Sequence, residues 1–234
     1  MQKHLSVFSE ESDYKGCSIM KQKGFSFFLK RIFDYLFGIT LLVCAFPFFL
    51  LAALVVKIAS PEAPVLFKQE RIGYQCKPFV IKKLRTMTND SDEKGRLLSD
   101  EKRLKKWGIF IRKTNLDEIP QIWNILKGEM SLIGPRPLLY KEMKIMSEEE
   151  QKKRQSVLPG ITGWEAVNER KARSRRIMAE YDLFYVNNWS IKIDFKIFIK
   201  TVAIIVLNQR PADNIRAPKI DEELNSEFSK KVNW

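Results

Sequence analysis

Leu36 to Val56 reads LFGITLLVCAFPFFLLAALVV, 21 consecutive positions without a charge. At ~1.5 Å per helical residue such a run reaches across the ~30 Å hydrocarbon core of a bilayer, so the fold is organised around a membrane element. The run starts too far into the chain, and lacks the small-residue cleavage site, for a removable signal peptide. Pro47 stands in its middle, where the missing N–H and the ring's clash with the preceding turn favour a kink. Lys21, Lys23, Lys30 and Arg31 precede the segment, and Lys57, Lys68, Arg71, Lys77, Lys82, Lys83 and Arg85 follow it. Lysine and arginine flanks favour the cytoplasmic side, so both ends call for the same face. A helix that enters, bends at Phe46-Pro47 and returns meets both conditions. An ordinary kinked transmembrane helix is the alternative that the sequence leaves open. Asp34 is expected at the interface, since a carboxylate deeper in hydrocarbon is costly.

Around this segment lies a chain of 234 residues with 41 Lys+Arg against 28 Asp+Glu, a formal charge of +13. At 45% hydrophobic and 29% charged it is neither disordered nor polytopic, and its length suits one domain with appendages. The single histidine, His4, argues against histidine bases and histidine metal clusters. Cys17, Cys44 and Cys76 are odd in number and far apart, which indicates neither a zinc knuckle nor a disulfide framework. A surplus of this size points to a polyanion, either a nucleic acid or an anionic membrane face. Trp107, Trp123, Trp164, Trp189 and Trp234 are too scattered to form a stacking platform, which disfavours nucleic acid.

The fold class expected is an α-rich α+β arrangement. VLFKQERIG and KPFVIKKL alternate apolar and polar residues about Gly73-Tyr74, predicting a short β-hairpin. Ser99 or Asp100 can cap a helix to Trp107 that Gly108 stops. A second helix is predicted over Asp117–Leu126, with Asp117 as cap, Pro120 in the first turn and Gly128 at its end. Ser147 and Glu150 form a capping-box pattern, and Ala172–Trp189 reads as helix. Ile191–Leu207 is apolar but carries Lys192, Asp194, Lys196 and Lys200, which suits an amphipathic helix lying at a membrane surface.

Three stretches concentrate residues with chemical capability: Phe67–Gly73 (FKQERIG), Arg112–Gln121 (RKTNLDEIPQ) and Met130–Pro137 (MSLIGPRP). With Leu158–Trp164 (LPGITGW), Asp194 and Thr201, in this order behind a hydrophobic segment, the chain resembles the bacterial sugar transferases, the monotopic phosphoglycosyl transferases, from about Lys30 to Gln209. The resemblance is to their minimal catalytic form. The chain is expected in four parts: a polar extension over 1–24, a re-entrant membrane helix over 25–60, a cytoplasmic-face catalytic domain over 61–209 and a polar tail over 210–234.

The residues support chemistry in their own right. Adjacent helical side chains diverge by ~100°, so Asp117 and Glu118 suit two separate jobs better than a symmetric dyad. A helix N-terminus favours an ionised carboxylate, which makes Asp117 an anionic nucleophile with no histidine needed. Glu118 is then free for Mg²⁺, a hard cation that prefers carboxylate and phosphate oxygens. The resemblance implies the same division. Asp117 would attack the sugar-linked phosphorus of a UDP-sugar, UMP would leave, and a polyprenyl (undecaprenyl) phosphate would take the phosphosugar, the first membrane step of bacterial glycoconjugate assembly. It also implies location at the bacterial inner membrane, among anionic lipids. Arginine grips phosphate oxygens bidentately and stays protonated, which nominates Arg112 and Arg136, the latter between two prolines. Arg71 and Arg85 fit the family pattern as substrate contacts, with headgroup contact or bracing of the hairpin left open. Lys82 joins this set, and Lys82-Lys83 reads as a membrane-facing basic edge. One departure stands out: in Trp164–Arg170 (WEAVNER), Ala166 and Glu169 replace the family's usual Gln and Gly. That loop is the best support for the rival reading, a non-catalytic, membrane-tethered basic scaffold.

Overall fold

The computed structural model of the protein describes residues 22–168 and 174–207. Expectations for the extension up to Lys21, for Glu169, Arg170 and Ala172, and for the tail beyond Leu207 lie outside the described residues. The described chain is mostly helical with small two-stranded sheets, as the α-rich expectation holds. The described residues divide into two compact units, one of Phe27–Arg71 with Pro78–Leu132, the other of 22–26, Ile72–Lys77, 133–168 and 174–207.

The first unit is built on α1 (Gly24–Ala59), whose helical backbone continues through Pro47. Among the described residues it is the one helix long and apolar enough to cross a membrane. Its buried residues are Lys30, Asp34, Gly38, Ala52 and Val56, whereas Leu36, Val43, Phe48, Leu51 and Leu54 are exposed. At 3.6 residues per turn the step from Asp34 to Ala52 is about five whole turns, so the buried positions form one stripe. Ala52 and Val56 pack with Leu84 and Ile111 in the unit's core, against Val65, Leu66, Trp107 and Leu116.

The predicted hairpin is present as β1 (Leu66–Ile72) and β2 (Pro78–Leu84). Its register is fixed at the open end, where the Arg85 N–H donates to the Val65 carbonyl at 2.8 Å. The single helix expected before Gly108 is instead a pair, α2 (Asp100–Arg103) and α3 (Lys106–Lys113). Gly108 lies inside α3, because its role is approach rather than termination: a Cβ there would meet the Thr86 carbonyl oxygen at 1.9 Å. The Asp117–Leu126 helix is also revised. It opens as a 3-10 turn over Leu116–Gln121 and continues as α4 (Ile122–Leu126). The residue before the turn is Asn115 at φ 56, a left-handed conformation that asparagine tolerates. Asp117 is therefore in the first turn and not the cap. Gly128, at φ +82, ends the element as predicted. Strand β3 (Ser131–Ile133) follows.

The second unit carries α5 (Tyr140–Met143), α6 (Glu148–Arg154), β4 (Gly160–Thr162), α7 (Trp164–Asn168), α8 (Arg175–Asn188) and α9 (Ile191–Val206). The Ser147/Glu150 capping box forms, with the Glu150 carboxylate accepting from the Ser147 N–H at 2.8 Å. Ser174 and Ser190 cap α8 and α9 through their hydroxyls. Ile72, Cys76, Met143, Met146 and Ala179 form a core cluster. On α9, Asp194 and Ile197 are buried while Phe195, Ile199, Val202 and Val206 are exposed. The Tyr185 hydroxyl and the Trp189 indole N–H donate to the Asp194 carboxylate at 2.7 and 3.2 Å, so that carboxylate ties α9 to the end of α8.

Candidate active site

The 3-10 turn that replaces the first turn of α4 is where the adjacent carboxylates sit, and local chemistry explains why. Thr114 closes α3 by donating its hydroxyl to the Phe110 and Ile111 carbonyls at 3.1 and 3.0 Å. Asn115 reverses the chain, and the Glu118 N–H closes the new turn on the Asn115 carbonyl at 3.1 Å. Ile119 and Gln121 are buried, which leaves Asp117 and Glu118 half-buried at the surface of the first unit.

Two basic side chains from other elements reach this turn. Lys83 of β2 donates to Glu118 Oε1 at 2.7 Å. Arg112, from the last turn of α3, donates through Nε to the Thr86 hydroxyl at 2.8 Å and lies close enough to Asp117 to stabilise its charge. Burial lowers the Arg112 pKa, with Asp117 and then Asp100 opposing that shift. Asp117 moves the other way: burial first and the neighbouring Glu118 second push its carboxyl up to about 6, against the pull of Lys83 and Arg112. The sequence predicts a carboxylate held ionised by the helix terminus. In the structure desolvation outweighs that dipole, and Asp117 is poised just below neutrality.

The other nominated residues occupy distinct places. Arg85 donates to the Pro64 carbonyl and to Asn89 Oδ1, both at 2.8 Å, which ties the end of β2 to the segment leaving α1. The Arg85 pKa is lowered by burial and then by Arg103. Arg71 is buried and donates to Gln69 Oε1 at 2.6 Å. Lys82 follows the alternation of strand side chains and projects from the opposite face of β2 to Lys83. Arg136 belongs to the second unit, exposed on the Pro135–Pro137 turn. Pro47 is exposed on α1, between the buried Gly38 and Ala52.

Sequence reading puts Lys83 on a membrane-facing edge and misses its bond to Glu118. Period-2 alternation was the available signal: Phe79 and Ile81 are buried, and Lys83 shares their face. Thr86, which holds Arg112, had no signal beyond its polarity.

Mg²⁺ suits this site on its donor chemistry. The turn offers two adjacent carboxylates, Asp117 and Glu118, and among the described residues no third His, Cys, Asp or Glu gathers with them. That suits Mg²⁺, which takes one or two carboxylates together with substrate phosphates. Glu118 already engages one cation, the Lys83 ammonium, and its carboxylate is the one that would hold the metal.

Residues 25–208 match the family model described as Bacterial sugar transferase. The chain is 46% identical over 181 residues to the "Uncharacterized sugar transferase EpsL" of Bacillus subtilis (strain 168), covering 77% of this chain and 89% of that protein. It is 37% identical over 192 residues to the "Exopolysaccharide production protein PSS" of Rhizobium leguminosarum bv. phaseoli, covering 74% and 93%. It is also 36% identical over 183 residues to the "UDP-glucose:undecaprenyl-phosphate glucose-1-phosphate transferase" of Escherichia coli (strain K12), covering 74% of this chain and 39% of that longer protein. With most of its length matched by the family model, and with relatives of its own size, the chain belongs to the bacterial sugar transferase family.

Proposed function

We propose that the protein transfers a sugar-1-phosphate from a UDP-sugar to undecaprenyl phosphate, releasing UMP. The observation that carries this reading is the Asp117–Glu118 turn with Lys83 and Arg112 around it, in a chain whose relatives include a UDP-glucose:undecaprenyl-phosphate glucose-1-phosphate transferase. An Asp117 carboxylate oxygen attacks the sugar-linked phosphorus. The bond from that phosphorus to the bridging oxygen breaks, and UMP leaves with the oxygen. A phosphate oxygen of the polyprenyl carrier then attacks the same phosphorus and displaces Asp117, which recovers its carboxylate. Arg112 faces the charge that builds on the phosphoryl oxygens, and Lys83 holds Glu118 in place. Bound at Glu118, Mg²⁺ would supply charge neutralisation for the diphosphate.

The packing of α1 supports the membrane placement. Arg31, Asp34 and Gly38 before Pro47, and Ala52 and Val56 after it, all rest against the same first unit. That favours a re-entrant element whose ends share the cytoplasmic face of the inner membrane over a helix with one end on each side. The exposed apolar residues of α9 next to Lys192 and Lys196 suit a helix in the headgroup layer, among anionic lipids. The test is a panel of UDP-sugars with undecaprenyl phosphate and Mg²⁺, scored by UMP release. One sugar should give release that depends on the lipid acceptor; no release with any sugar overturns the reading.

A further inference from the structure

Arg154 is among the largest fully buried side chains of the described protein. Its guanidinium binds Asp182 Oδ2 through Nε at 3.0 Å and Nη2 at 2.6 Å, with side-chain exposures of 0% and 7%. A buried ion pair is weak evidence for stability, since apolar residues of similar volume serve as well or better. This pair has a further bond. Arg154 Nη2 also donates to the backbone carbonyl of Arg136 at 2.5 Å.

That carbonyl lies between Pro135 and Pro137, neither of which has an N–H to give. The turn is therefore held chiefly by its carbonyls. The Gly160 N–H takes the Pro135 carbonyl at 2.9 Å, and Arg154 takes the next one. Gly134 and Gly160 allow the backbones to touch, since a Cβ on Gly160 would lie 2.1 Å from the Gly134 nitrogen. The turn is clamped from behind while the Arg136 side chain is left exposed in front. Glu165, at the start of α7, is close enough for Arg136 to stabilise its charge, so the guanidinium has an anionic neighbour on one side.

We propose that the buried Arg154–Asp182 pair is a positioning device for the Arg136 guanidinium, holding its backbone so that it meets an anionic oxygen of the nucleotide. The proposal rests on the function above, in which a UDP-sugar is the donor, and on Arg136 as the phosphate-gripping arginine nominated from the sequence. Arg154 and Asp182 touch no substrate; they act through the carbonyl of the residue that does.

The probe is UDP, the part common to every UDP-sugar, titrated into the full-length detergent-solubilised protein. Arg136→Ala should weaken UDP binding about tenfold, the scale of one charge-assisted hydrogen bond. The double variant Arg154→Met/Asp182→Leu replaces the pair with apolar groups and should melt at or above the wild-type temperature, yet weaken UDP binding by a similar factor. Added to Arg136→Ala it should have no further effect, because both changes remove one interaction. Arg154→Lys keeps the charge against Asp182 but lacks the planar fork, and should also weaken UDP binding. Wild-type UDP affinity in either folded variant, with Arg136→Ala still defective, overturns the positioning role alone. Wild-type affinity in Arg136→Ala overturns the nucleotide reading beneath it.

Discussion

At Asp117 a raised carboxyl pKa links the proposed catalysis to stability. The group moves from 3.8 to about 6 on folding, so the fold favours its protonated form. Its ionised form therefore opposes folding at neutral pH, an effect that fades as pH falls through 6 towards 3.8. Asp117→Asn should abolish UMP release, and wild-type turnover would remove the nucleophile assignment. In metal-free protein at pH 7.5 the same variant should be more stable by about 1–2 kcal/mol, less than the ~3 kcal/mol of two full pKa units, as read from thermal melts. Because the nucleophile must be ionised, UMP release should fall about tenfold per pH unit below 6. Lys83 lowers the Asp117 pKa, so Lys83→Gln should move that acid limb to higher pH; an unshifted limb would exclude the coupling. Glu118→Gln should require more Mg²⁺ for half-maximal rate, and an unchanged titration would count against its metal role.

Among the elements, α1 is held by an ion pair where the sequence reading had an interfacial carboxylate. Asp34 is buried and accepts from the Ser131 hydroxyl and the Leu132 N–H, both at 3.0 Å, and from Arg31 at 3.1 Å. Arg31 extends the anchor to the Met130 and Ile125 carbonyls at 2.9 and 3.1 Å. The costly charge is thus compensated by protein and is not left to lipid headgroups. Asp34→Ala would remove the carboxylate that Arg31, Ser131 and Leu132 share, and should destabilise the protein by about 3–5 kcal/mol, measured as a lowered melting temperature in detergent. Asp34→Asn, which keeps an acceptor for Ser131 and Leu132, should lose less. A wild-type melt in Asp34→Ala would mean that the anchor is not needed.

For the molecule as a whole, the question is which side of the membrane each end of α1 faces. With Cys17, Cys44 and Cys76 replaced by serine, single cysteines at Lys23 and Lys57 should both react with a membrane-impermeant maleimide only in inverted vesicles. Reaction of either site from the periplasmic side would mean that the helix spans. The first unit makes the shared-face outcome the expected one, because contacts on both sides of Pro47 are made to one body.

The sequence by itself determined the membrane element, the hairpin, the capping box at Ser147 and the family. These depend on local information: an uncharged run, alternation of period two, a hydroxyl three residues before a carboxylate, and ordered motifs. The Asp117–Glu118 pair was legible for the same reason, since the residues are neighbours in the chain. Tertiary structure alone decided that Gly108 sits inside a helix, that Asn115 and not Asp117 starts the Asp117–Glu118 turn, that Lys83 reaches Glu118, and that Asp34 is buried. Each of these turns on a partner distant in sequence: Thr86 against Gly108, β2 against the turn, Ser131 against Asp34. Desolvation likewise depends on everything packed around a group. The sequence could therefore supply the aspartate, and the fold set its pKa.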